Sequence, residues 1–136
     1  MRSTLFIDTG AFYARYVAAD EYHERAMKLW QKVQAEKIPC FTTNFVLSEL
    51  ISLFVYRSGT PSALKAAREI YASNAITIFS ITSEIELKAL EWMERFADQK
   101  FSMTDAASFA VMSEQNLKRA FTFDKHFTIA GFEPFS

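Results

Sequence analysis

Short unbroken apolar runs alternate along this chain with longer stretches in which apolar residues recur every three or four positions. Thr4 to Ile7 and Ile38 to Thr42 read as buried strands, as do Ala75 to Ser80 and Arg119 to Phe123, with a short fifth at Phe132 to Phe135. Helical spacing fills the intervals. Ala11 to Ala19 forms one helix, and Glu24 to Ala35 forms another with Ala26, Leu29, Trp30 and Val33 on a single face. Asn44 caps a helix reaching about Tyr56. Gly59 ends it, and Pro61 starts the next, which runs to about Ala72. Thr82 and Ser83 cap a long amphipathic helix carrying Ile85, Leu87, Leu90, Trp92, Met93 and Phe96. Ser102 caps a last one from Thr104 to about Glu114.

Strands that are continuous apolar runs, separated by helices, predict a parallel sheet covered on both faces. Ligands of such sheets bind beyond the carboxyl ends of the strands. Asp8 and Asp124 stand there, closing Leu5-Phe6-Ile7 and Ala120-Phe121-Thr122-Phe123. Two further acids lie against apolar sequence. Glu49 sits inside Phe45 to Ile51, and Asp105 opens Ala106 to Met112. At ~4 Å two unit charges repel by about 4 kcal/mol at an effective dielectric of 20. If the four converge, a bound cation explains them best.

Each acid also has a plainer reading. Asp8 can cap the helix that follows, and Asp105, three residues after Ser102, fits a capping box. Asp124 can cap or pair with Lys125. Glu49 resists such a reading, because no Lys or Arg falls between 38 and 56. Asp98 reads as a solvated or outer residue. Asp8-Thr9-Gly10 matches the catalytic loop of aspartic proteases, but those are all-β and helical periodicity follows this triplet at once.

Composition narrows the picture further. The 136 residues suit one domain, and half of them are hydrophobic. Fourteen Phe suggest that some lie on an oligomer interface. No apolar run is long enough to span a membrane, and the apolar part of the start is short for a signal peptide, so a cytoplasmic protein is expected. Cys40, the single cysteine, reads as a buried inert thiol. His23 and His126 read as surface or turn residues, and two His without cysteine partners give no zinc pattern. Net charge is −1. Setting the four acids aside leaves twelve against fifteen Lys and Arg, a residual of +3, which is compatible with a phosphate-bearing partner. Arg57, Lys65, Arg68, Lys118, Arg119 and Lys125 are candidate phosphate contacts, although charged residues commonly just face solvent.

Taken together, Leu5-Phe6-Ile7-Asp8-Thr9-Gly10-Ala11, Glu49, Phe101-Ser102-Met103-Thr104-Asp105-Ala106 and Phe121-Thr122-Phe123-Asp124-Lys125-His126-Phe127 resemble a PIN-domain ribonuclease, most of all the VapC-type toxins. The resemblance spans the chain. It implies a single-domain, three-layer α/β/α sandwich with a parallel sheet, and Asp8, Glu49, Asp105 and Asp124 gathered around Mg²⁺ or Mn²⁺. Thr9, Ser102 and Thr104 match the hydroxyl positions bordering that site. Gly10 stands where the family often has Ser or Asn. An RNA substrate, a homodimer and a cognate antitoxin are likewise implied by resemblance. The alternatives are a stand-alone PIN nuclease in RNA processing or decay, and a non-catalytic RNA- or protein-binding PIN domain. A phosphotransfer receiver would want paired acids at the first strand end, where this chain has Asp8 followed by Thr9.

Overall fold

The structure, a computed structural model, describes residues 4–136. The first residues of the stretch weighed as a leader therefore lie outside the described residues. The elements run β1 (Leu5–Ile7), α1 (Thr9–Tyr16), α2 (His23–Ala35), β2 (Cys40–Thr43), α3 (Asn44–Ser58), α4 (Thr60–Ala72), β3 (Ile76–Phe79), α5 (Ser83–Arg95), a 3₁₀ turn (Ala97–Gln99), α6 (Met103–Glu114), β4 (Arg119–Phe121), α7 (His126–Ile129) and β5 (Glu133–Pro134).

All pairings are parallel, and the strands lie in the order β3-β2-β1-β4-β5. The chain steps outward from β1 to β3, then returns to place β4 on the other side of β1. The order thus reverses between β1 and β4, and that switch point is where such sheets open a crevice for ligands. β1 is central, and all three of its residues are fully buried.

Adjacent residues of a strand point to opposite faces. Ile7 is in register with Phe121, and Phe121 packs on Trp30 at 5.0 Å between ring centroids, so this face belongs to α2. Trp30 also packs on Phe12 and donates its indole N–H to the Ala11 carbonyl at 3.0 Å, which ties α2 to α1. Phe6 faces the other way, onto Phe127, which meets Phe109 of α6 edge-on. The sheet is therefore covered on both sides, as the apolar runs predict.

Several boundaries differ from the sequence reading. α1 stops at Tyr16 rather than Ala19. Val17 turns extended, and Ala18 and Ala19 are exposed, with no apolar face to keep them helical. Thr43, not Asn44, caps α3, accepting from the Val46 amide at 3.1 Å. Asn44 instead accepts from the Ile81 amide at 2.8 Å and ties α3 to the turn before α5. Thr82 alone caps α5, with Ser83 as its first residue. β4 ends at Phe121, and the short α7 was not expected. None of the fourteen Phe is among the exposed large hydrophobics: eight are buried and six, Phe41, Phe45, Phe79, Phe96, Phe123 and Phe132, are half-buried. Cys40 is buried, which pushes its thiol up to about 11 and keeps it inert, as expected. Among the described residues no helix is long and apolar enough to cross a membrane.

Candidate active site

Asp8 leaves β1 and Asp124 follows β4, so the two strand ends at the switch point bring both acids to one place. Asp105 arrives in the first turn of α6 and Glu49 in the second turn of α3. All four line a single cleft of about 560 Å³. The convergence on which the sequence reading turned is present.

Asp8 occupies the N-cap position of α1, yet its side chain makes no capping bond to that helix. It accepts instead from the Thr122 hydroxyl at 2.8 Å. The same hydroxyl oxygen accepts from the Asp124 amide at 3.0 Å, so one Thr fixes both strand-end acids. Burial drives the Asp8 pKa from 3.8 up to about 7. Hydrogen bonding by Thr122 and the Thr9 amide opposes the rise, and the charges of Asp105 and Asp124 add to it.

Asp105 is 8% exposed. Its amide donates to the Ser102 hydroxyl at 3.0 Å, so the expected cap forms, and the carboxylate remains directed at the cleft. Oδ2 lies 3.0 Å from His126 Nδ1, which is also 3.5 Å from Asp124 Oδ1. Burial raises the Asp105 pKa, the His126 hydrogen bond lowers it, and the Asp124 charge raises it again. Asp124 Oδ1 accepts from the His126 amide at 2.9 Å, a local turn that starts α7 while the side chain still lines the cleft. Glu49 is exposed at the rim, and its pKa is nevertheless raised, first by desolvation; the Thr104 hydroxyl counters this, and Asp105 and Asp124 add repulsion. Among the described residues no Lys or Arg forms an ion pair with any of the four.

Three residues of the site were missed or misread. His126 is no turn residue at the surface: its ring is 22% exposed and braces two carboxylates. Its signal in the sequence was only its place two residues after Asp124. Thr122 and Asp20 were passed over; Asp20, in the loop after α1, lines the same cleft. Asp98 is exposed and accepts from the Gln99 side chain. Arg57 and Lys125 reach the cleft, whereas Lys65 and Arg68 line a separate depression on α4. Arg119 lies over the Phe135 ring.

The donors fit a hard divalent cation. Oxygen ligands dominate, the cleft is roomy enough to keep waters, and the acids repel one another until a cation arrives. Asp105, Asp124 and His126 offer atoms within 4.8 Å of one another. The Thr9 hydroxyl is buried without a hydrogen-bond partner while its residue lines the cleft, an orphan that a bound water can satisfy.

A family model for the PIN domain matches residues 5–133. The chain belongs to the PIN domain family. This PIN domain is 36% identical over 129 residues to the 23S rRNA-specific endonuclease VapC20 of Mycobacterium tuberculosis, covering 94% of this chain and 95% of that protein. It is 31% identical over 125 residues to a VapC ribonuclease of Archaeoglobus fulgidus, covering 90% and 78%. Among solved structures, M. tuberculosis VapC20, described as a sarcin–ricin loop cleaving toxin, superposes with a TM-score of 0.85 at 35% identity over 94% of this chain and 95% of that one. FitAcB of Neisseria gonorrhoeae shares the fold, with a TM-score of 0.66 at 13% identity and coverage of 97% and 96%. A nuclease chemistry using a divalent metal is the family's, and the acidic cluster of this PIN domain matches it.

Proposed function

We propose that this PIN domain is a metal-dependent endoribonuclease, the toxin of a toxin–antitoxin pair, that hydrolyses RNA phosphodiester bonds with water. The observation that carries the reading is the meeting of four carboxylates at the sheet's switch point, with no Lys or Arg paired to them among the described residues. Mg²⁺ or Mn²⁺, when bound, supplies a water of lowered pKa and positive charge beside the scissile phosphate.

Asp8 and Asp105, the most buried of the four, are the proposed direct ligands. Glu49 and Asp124, nearer the rim, orient waters or hold a second ion. Thr122 fixes the Asp8 carboxylate, and Thr104 steadies Glu49. His126 Nδ1 is already engaged between Asp105 and Asp124, which suits a brace that sets their orientation better than a ligand. Ser102 holds the first turn of α6, and with it the position of Asp105. Arg57 and Lys125 lie where the flanking phosphates of an RNA would pass.

The likeness to VapC20 makes the sarcin–ricin loop of large-subunit rRNA the first substrate to test. A cognate antitoxin and a homodimer complete the proposal. The experiment incubates antitoxin-free protein with a sarcin–ricin stem–loop and a mixed RNA pool in Mg²⁺ or Mn²⁺. Wild type is expected to cut, and Asp8→Asn and Asp105→Asn to lose cleavage while still folding. No cleavage with either ion would sink the nuclease reading in favour of a binding domain. Growth arrest on expression, relieved by an adjacent reading frame, separates a toxin from a stand-alone processing nuclease.

A further inference from the structure

One wall of the acidic cleft is aromatic. Tyr22 and Phe123 both line it, and their rings are stacked face to face, 4.5 Å between centroids and 4° from parallel. Phe123 sits between Thr122 and Asp124, so the segment that fixes two of the acids also carries the stack. Phe121 backs Phe123 edge-on at 6.0 Å, and the Arg25 guanidinium lies 5.7 Å from the Phe123 centroid. Tyr22, by contrast, is 37% exposed. The loop that brings it there is tied by Asp20, whose Oδ2 accepts from the Tyr22 amide at 3.0 Å. A buried cluster would take Phe or Leu at this position. An outermost Tyr, supported from behind by Phe123, which Arg25 in turn borders, is what stacking an unpaired base requires.

We propose that Tyr22, backed by Phe123, is a stacking platform for one unpaired nucleobase of the RNA, next to the phosphate delivered to the acids. The proposal rests on the RNA-cleaving reading above and names how the substrate is held. Base–aromatic stacking accepts any base, so the platform selects single-stranded or splayed RNA rather than sequence. Arg57 and Lys125, on the same cleft, supply the phosphate contacts that such binding combines with stacking.

The test measures binding, not cleavage. Protein carrying Asp8→Asn is titrated in Mn²⁺ with a short single-stranded RNA and with an abasic oligomer of equal length, which keeps the phosphates and lacks the bases. The natural RNA is expected to bind about five- to hundredfold more tightly. Adding Tyr22→Leu should collapse that ratio, and Tyr22→Phe, which keeps the ring, should preserve it. Affinity for the abasic oligomer should be the same in all three, which also reports that each variant is folded. An unchanged ratio in Tyr22→Leu, or equal binding of the two oligomers by the parent, overturns the platform and leaves Tyr22–Phe123 a clasp closing the loop after α1. Failure of wild type to cut RNA is a separate outcome, and it bears on the nuclease reading alone.

Discussion

Asp8 follows a strand with no solvent contact, and its carboxyl is buried before any charge is considered. It ionises near 3.8 in an unfolded chain and near 7 in the metal-free fold. The folded state therefore holds the proton more tightly. The stability that Asp8 contributes is fully present below about pH 3.8 and is lost as pH rises to about 7, a change of roughly 4 kcal/mol. Glu49 and Asp105, also raised, act in the same direction. Asp8→Asn should flatten the melting-temperature profile of metal-free protein over that interval and melt higher than wild type at alkaline pH. Parallel profiles for the two proteins would refute this. Thr122→Val removes the hydroxyl that fixes Asp8 and Asp124, and His126→Ala removes the brace on Asp105. Each should weaken Mn²⁺ binding or lower kcat/KM by about 10- to 100-fold, as losses of supporting contacts around metal ligands do; isothermal titration and initial rates check it. The acids were legible in the sequence because charge beside apolar runs is locally anomalous. Thr122 and His126 were not, since their meaning lies in partners 114 and 21 positions away.

At the scale of elements, two helix caps with the same local chemistry have different consequences. Thr82 accepts from the Ile85 amide and caps α5 away from the cleft. Ser102 accepts from the amide of Asp105 itself. Either change to Ala should cost about 1 kcal/mol of stability. Only Ser102→Ala should also slow cleavage, because it loosens the turn that aims a proposed ligand. Denaturant midpoints with single-turnover rates on both variants check the contrast. The Ser102 cap was read correctly from the sequence; at α5 only Thr82 caps, and Ser83 is already inside the helix. Asn44 was misread, because its side chain is spent on the Ile81 amide 37 positions away, leaving Thr43 to cap α3. The overlong α1 has the opposite cause: Ala18 and Ala19 favour a helix, but no neighbour rewards one.

For the molecule as a whole, alternating strand and helix patterns were enough for a covered parallel sheet, and short apolar runs located its strands. The strand order was beyond them. Nothing local in Arg119–Phe121 says that it pairs with β1 instead of continuing outward from β3, yet that choice creates the crevice and unites Asp8 with Asp124. The fate of the Phe residues was equally hidden. Composition allowed an interface role; in the fold the rings pack with one another on both faces of the sheet, and the large apolar residues exposed on α3, α4 and α5 include Tyr56, Tyr71, Leu87 and Leu90.

The pairing of β1 with β4 joins segments more than a hundred positions apart. Such closures are entropically expensive, and the acids meet only once this one is made. If the closure follows the rate-limiting step, their mutual repulsion and any affinity for a cation belong to the finished state and not to the barrier that precedes it. A divalent ion should then slow unfolding in denaturant while leaving the refolding rate unchanged, the signature of contacts absent from the transition state. Stopped-flow mixing with and without Mn²⁺ reads both limbs, and refolding that quickens with the ion would place the site earlier. On this expectation a bound ion would act as a latch on a completed fold, lengthening the lifetime of the native state.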